Sequence, residues 1–176
     1  MPKKNTLHNE SYLNLIPKLT SYGFVAIPLD GKKPILKSWN SLTSTPSKLY
    51  IFEKKNIGVL TGSRSGITIL DIDKKDNGME TWNRISSVYP PIHTPIVKTQ
   101  SGGLHIYFRF NKKLHSFSRF TLRGKKIGWD LMNNNRQVVV PNSENEYSWK
   151  VSIEDTPIAV MPSWLDEYLT RCKTFE

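Results

Sequence analysis

The sequence predicts a mixed α/β domain of the α+β kind. Apolar residues recur at helical spacing from Ser11 to Tyr22 and again beyond Ser163. Between these two stretches lie short runs rich in β-branched and aromatic residues, among them Ile57 to Leu60, Ile67 to Asp73 and Gln137 to Val140. With 38% hydrophobic and 23% charged residues, 176 residues suffice to bury one continuous core without disulfides. A single domain over residues 1–176 is therefore expected, with no internal repeat or low-complexity linker.

In chain order, Tyr12, Leu15, Ile16 and Leu19 form the apolar stripe of the first helix, which Gly23 should stop and Pro17 should kink or split. Phe24 to Pro28 reads as a strand. Leu29 to Asn40, with Asp30-Gly31 and Pro34, reads as a loop or irregular strand carrying Lys32, Lys33 and Lys37. Thr45-Pro46 offers a cap and a first-turn proline for a short helix ending near Lys55. Ile57 to Leu60 and Ile67 to Asp73 are strands joined by a loop. Asp76 or Asn77 then caps a helix in which Met79, Trp82 and Ile85 fall three apart. Ile96 to Thr99 and Leu104 to Phe110 flank Gln100-Ser101-Gly102-Gly103, whose glycines suit a hairpin turn. Strands are expected at Gly128 to Leu131, Gln137 to Val140 and Tyr147 to Val151. A closing helix starts at Ser163 with Asp166 as its capping-box acid.

The 25 Lys and Arg exceed the 15 Asp and Glu by 10, and they cluster at Lys32-Lys33 with Lys37, Lys54-Lys55, Lys74-Lys75, Lys112-Lys113, and Arg119, Arg123, Lys125 and Lys126. Such a field attracts polyanions, although scattered lysines also serve solubility alone. A single cysteine, Cys172, excludes an intrachain disulfide and a multi-cysteine zinc site, so no zinc is expected. The start Met1-Pro2-Lys3-Lys4-Asn5 has no apolar signal run, and no stretch of about 18 apolar residues occurs, so an intracellular protein without a membrane partner is expected.

Asp71 and Asp73 lie two apart in an apolar strand, so both side chains leave the same face. Like charges this close repel, and a hard divalent cation, Mg²⁺ or Mn²⁺, is the usual means of keeping both ionised. A strand end emerging into solvent also produces Asp-x-Asp. His105 opens a strand that places His105, Tyr107 and Arg109 on one face against Ile106, Phe108 and Phe110. An imidazole and a guanidinium beside the backbone amides of a two-glycine turn suit phosphate oxygens; a plain hairpin with a wet polar side is the alternative. Asp130, in Gly128-Trp129-Asp130-Leu131, is a third acid whose spacing does not show what it faces.

The order of the blocks adds what none gives singly. Gly-Phe-x-x-Ile-Pro-Leu-x-Gly-Lys-Lys-Pro from Gly23, Ile-Gly-Val-Leu-Thr-Gly from Ile57, Ile-Leu-Asp-Ile-Asp from Ile69, Lys-Thr-x-Ser-Gly-Gly-Leu-His-Ile-Tyr-Phe from Lys98, Gly-Trp-Asp from Gly128 and Val-Val-Val-Pro-x-Ser from Val138 together resemble the bifunctional primase-polymerase domain of the archaeo-eukaryotic primase superfamily. The resemblance implies an N-terminal α/β unit packed on an RRM-like sheet, with the active site in the cleft between them. It implies that Asp71 and Asp73 are the first acidic motif, His105 the nucleotide-binding histidine and Asp130 the third-motif acid, these acids holding two divalent ions. Lys98, Ser101 and Gly103 would lie beside the incoming triphosphate, and Lys33 would match a basic position near the site. The family's glycine-rich step before the Val-Val strand is replaced by Leu131 to Asn135, and Arg136 is the candidate for a positive charge otherwise missing after the third acid.

The activity so implied is template-directed joining of NTPs or dNTPs on a single-stranded DNA template and primer, as a DNA primase, a DNA polymerase or both. Such a domain is expected to belong to a larger replication protein with a fused or associated helicase; no Gly-x-x-x-x-Gly-Lys-Ser/Thr loop for ATP hydrolysis occurs here. Two rivals differ in class. A non-catalytic nucleic-acid-binding module leaves three acids amid basic residues without a reason, and a rolling-circle nuclease needs paired histidines on one strand and a tyrosine nucleophile, for which only His105 and Tyr107 are at hand.

Overall fold

The computed structural model describes residues 10–118 and 120–172; residues 1–9, which include the start read for a signal run, and Arg119 of the basic clusters lie outside the described residues. Helix α1 (Tyr12–Ser21) is capped by Ser11 and runs unbroken through Pro17, so the expected split does not occur. Only one intrahelical donor is lost at Pro17, while Leu15, Ile16 and Leu19 stay buried against the core. Gly23 ends the helix as foreseen: its N–H bonds Thr20 O at 2.9 Å and that of Phe24 bonds Leu19 O at 3.0 Å, the paired closure of a Schellman motif.

Two antiparallel sheets follow. The first holds β1 (Ala26–Asp30), β2 (Lys33–Pro34), β3 (Asn56–Leu60) and β10 (Gln137–Val140) in the order β10-β3-β1-β2. The second holds β4 (Ile67–Ile72), β5 (Ile96–Lys98), β6 (Leu104–Arg109), β9 (Trp129–Met132) and β11 (Ser148–Val151) in the order β11-β5-β6-β4-β9. Helix α2 (Gly78–Ser86) crosses from β4 to β5, and β9 lies on the far side of β4. That gives the RRM-like order, with β11 added beside β5. A small hairpin, β7 (Thr121–Leu122) with β8 (Lys125–Lys126), occupies the connection from β6 to β9, and α3 (Ser163–Cys172) closes the described chain.

The second sheet separates two cores. Ile67, Ile69, Val97, Tyr107 and Trp149 pack with α1 and the first sheet. Leu70, Ile72, Ile106, Phe108 and Leu131 pack with Trp82 and Ile85 of α2 and Leu165 and Leu169 of α3. This strict alternation between neighbours follows from the two-residue period of a strand buried on both faces.

Several local expectations give way to tertiary bonds. The strand expected at Phe24 to Pro28 begins at Ala26 and continues to Asp30, absorbing part of the expected loop. No α-helix follows Thr45-Pro46, where only a 3-10 turn forms at Leu49–Phe52. The Thr45 hydroxyl that would have capped it instead accepts from the Ala26 N–H at 2.9 Å. At the start of α2, Asn77 takes a left-handed backbone conformation and makes no side-chain cap, while the Asp76 carboxylate pairs with Lys126 at 3.0 Å.

Candidate active site

Because Ile67 and Ile69 of β4 face the first sheet, so does Asp71, the next residue in that alternation. The register of the second sheet then decides its neighbours. Asp71 stands opposite Asp130 on β9 and opposite His105 on β6; His105 stands opposite Val97 on β5, and Val97 opposite Trp149 on β11. Asp130, Asp71 and His105 thus form three consecutive members of one transverse row on the cleft face. Asp73 lies just beyond the strand end and is exposed, its N–H bonded to Gly128 O at 2.7 Å.

Above the row, a cavity of about 180 Å³ is walled by Asp71, His105 and Met132 from the second sheet, by Lys32, Gln137, Val138 and Val139 from the first, and by Tyr147. Beside it, sharing Met132 and Gln137, lies a space of about 300 Å³ that includes Trp39, Ser118, Asp130 and Arg136. The His105 ring lies 5.7 Å from that of Tyr147, tilted by 43°.

Burial governs the charges here. Burial first, then the carboxylates of Asp73 and Asp130, push Asp71 up to about 7, against a partial opposing pull from Lys32. Asp130 is also raised, by burial and Asp73, while Lys126, Arg136 and a Ser118 hydrogen bond act against the rise. His105 is driven down to about 3 by burial and by Lys32. Its Nε2 lies 3.6 Å from Asp71 Oδ1, and because both shifts oppose ionisation this is a neutral imidazole beside a carboxyl group, not an ion pair. His105 Nδ1 is buried with no hydrogen-bond partner among the described residues.

Three carboxylates close enough to oppose one another's ionisation, Asp71, Asp73 and Asp130, have the donor chemistry of a Mg²⁺ or Mn²⁺ site. Among the described residues, however, no three His, Cys, Asp or Glu side chains converge closely enough to hold an ion as they stand. The fit therefore lies in donor type and electrostatics.

The remaining sequence candidates divide. Lys33 pairs with Asp30 on the exposed edge strand β2, and it is Lys32, in the two-residue turn before it, that reaches the cavity. Arg109 is four residues along β6 from His105, roughly 13 Å, and its Nε bonds Ile158 O at 3.0 Å, so the two do not act together. Nor is their strand face wet: His105 and Tyr107 are buried between the sheets. The expected hairpin turn joins β5 to β6, but its glycine amides are engaged, Gly102 N–H with Thr99 O and Gly103 N–H with Thr99 Oγ1, each at 2.9 Å. Gly103 is a glycine for steric reasons, since a Cβ there would lie 2.2 Å from Ile72 O. Ser101 and Lys98 are exposed near this turn. Sequence reading passed over Gln137, Tyr147 and Ser118, which reach the site through contacts distant in sequence. Lys32 had a signal in the Gly31-Lys32-Lys33 run, but no means of choosing between its lysines.

These features define an α+β protein with a cluster of carboxylates and a buried histidine set in a cleft between two sheets. A family model described as bifunctional DNA primase/polymerase, N-terminal, matches residues 17–164 of the 176. The chain belongs to that family, and its function is of the DNA primase/polymerase type, that of a nucleotidyltransferase-type enzyme. Among curated proteins none matches the chain. Among the described residues no helix is long and apolar enough to cross a membrane.

Proposed function

We propose that the chain is a template-directed nucleotidyltransferase of DNA replication, acting as DNA primase, DNA polymerase or both, with the Asp130–Asp71–His105 row as its active site. The observation that carries this reading is the strand register, which aligns the third acid, the first acid and the histidine across three adjacent strands. Asp71, Asp73 and Asp130 would hold two divalent ions, Mg²⁺ or Mn²⁺, which when bound supply charge stabilisation for phosphoryl transfer.

The chain's own groups do the positioning. His105 is neutral and its Nδ1 is buried and unpartnered, so it is suited to a phosphate oxygen of the incoming NTP or dNTP rather than to proton transfer. Lys32, across the cavity, supplies a positive charge to the same triphosphate, and Lys98 and Ser101 extend the polar surface at the β5–β6 turn. A primer hydroxyl attacks the α-phosphate and pyrophosphate leaves. The net charge of +10 favours a single-stranded DNA template and primer, held through backbone phosphates in a salt-sensitive way. A helicase, fused or associated, is the partner that would open duplex ahead of it.

The nuclease reading is weakened by Tyr107, its required nucleophile. That side chain is buried in the core between the sheets, and burial pushes its hydroxyl ionisation well above the ordinary range. The deciding experiment offers the protein a single-stranded template, with and without a primer, under each nucleotide set and with each metal. Template-directed products are expected; template binding with no synthesis under any condition would favour a non-catalytic module.

A further inference from the structure

Gln137 stands on the edge strand β10, in the wall shared by the two cavities. Its Nε2 donates to Lys32 O at 2.9 Å, linking β10 to the β1–β2 turn. To reach that carbonyl the side chain passes over β3 at Gly58. A Cβ on Gly58 would lie 2.6 Å from Gln137 Oε1 and 2.9 Å from Leu29 Cδ1. The absence of a side chain at that one position opens the path.

The remaining end of the amide is at odds with a stabilising role. Oε1 is buried with no hydrogen-bond partner among the described residues, and such an acceptor carries a desolvation penalty. A glutamine placed only for stability would satisfy both ends. What the bond holds is the two-residue turn Gly31-Lys32, closed by the Asp30–Lys33 pair, from which the Lys32 side chain springs toward Asp71 and His105. Lys32 acts electrostatically on both of those groups, so its position matters to the site.

We infer that Gln137 is a positioning residue: it crosses the gap at Gly58 to hold the Gly31-Lys32 turn, and so keeps the Lys32 ammonium over the cavity that receives the nucleotide triphosphate. This rests on the nucleotide site proposed above. Gly58 is thereby a second member of the device, acting through Gln137 rather than touching the ligand.

The test is equilibrium binding of a nucleoside triphosphate with Mg²⁺, and its KM in primed synthesis, for a set of variants whose folding is followed by thermal melting. Lys32→Ala should weaken triphosphate binding about tenfold through loss of a charge-assisted contact. Gln137→Ala should weaken it about three- to tenfold without lowering the melting temperature, because the buried unpaired carbonyl leaves with the side chain. Gly58→Ala should weaken binding to a similar extent, since its Cβ displaces the Gln137 amide, and unlike Gln137→Ala should also lower the melting temperature, because that Cβ meets buried Leu29 Cδ1 at 2.9 Å. In the Lys32→Ala background, Gln137→Ala should add nothing, the signature of two residues acting as one unit. If Lys32→Ala weakens binding and Gln137→Ala does not, or if Gln137→Ala keeps its full effect without Lys32, the inference is overturned while the nucleotide site stands. If Lys32→Ala has no effect on triphosphate binding, both are overturned.

Discussion

His105 faces Asp71 directly across the β4–β6 pair, with Nε2 3.6 Å from Oδ1, and the two groups are displaced from their ordinary ionisation in opposite directions. Asp71 rises to about 7 and His105 falls to about 3. A cleft that disfavours charge on both, in a protein of net charge +10, is prepared for a ligand that brings its own.

The paired shifts predict a hidden pH dependence of stability. Asp71 ionises near 3.8 when unfolded and near 7 when folded, so between these values the folded state holds the extra proton and stability falls as pH rises. His105 titrates near 6.5 unfolded and near 3 folded, so over that window the unfolded state holds the extra proton and stability rises with pH. From about pH 4 to 6.5 the two slopes oppose each other. Metal-free Asp71→Asn should therefore gain stability toward pH 6.5 more steeply than the wild type, and His105→Gln should lose it. Chemical denaturation across this range reads the slopes, and identical profiles for all three proteins would refute the opposed shifts.

Cation binding should release protons. Near pH 7 about half of the Asp71 carboxyls carry a proton that a cation must displace, so affinity for Mn²⁺ should rise between pH 6 and 8 and the proton release should disappear in Asp71→Asn. Calorimetry in buffers of different ionisation enthalpy measures this directly. Proton release of equal size in the variant would locate the titrating group elsewhere.

His105→Ala should weaken nucleoside triphosphate binding by roughly tenfold or more while changing template affinity little, because His105 lines the cavity beside Asp71 and Lys32 and is buried between the sheets, away from the surface a template would follow. Separate titrations with nucleotide and with single-stranded DNA decide it. Equal losses would mark a structural histidine.

Gly103→Ala should destabilise the fold by about 2 kcal/mol or more, since its Cβ would meet Ile72 O at 2.2 Å and must push the β5–β6 turn away from the end of β4. Synthesis should fall with it, because Asp73 follows Ile72 directly. An unchanged unfolding midpoint would show that the turn yields without strain.

Much of this was legible in the residues, for reasons that also explain the rest. The expectation that Asp71 and Asp73 share a face follows from the strand period alone, although β4 ends at Ile72, one residue before Asp73. That Asp130 joins them does not, because the β4–β9 register is set by pairing between segments some sixty residues apart. The alternation of His105, Tyr107 and Arg109 is readable, but the burial of His105 and Tyr107 is not, because a second sheet covering that side leaves no local mark. Thr45 looked like a cap because a hydroxyl before proline is one in isolation; here its partner is the Ala26 amide, brought near only by folding. Lys32 and Lys33 are indistinguishable until β2 pairs with β1 and fixes which of them sits in the turn.

The central claim is that the Asp130–Asp71–His105 row performs template-directed nucleotide transfer, and the most direct measurement is incorporation on a primed single-stranded template whose sequence dictates the nucleotide added. Wild-type protein should add the complementary nucleotide with Mg²⁺ or Mn²⁺, and Asp71→Ala and Asp130→Ala should each abolish addition while melting at or above the wild-type temperature, since removing either carboxylate relieves repulsion in the metal-free cleft. Near-wild-type addition by either variant, or addition indifferent to the template base, would contradict the account.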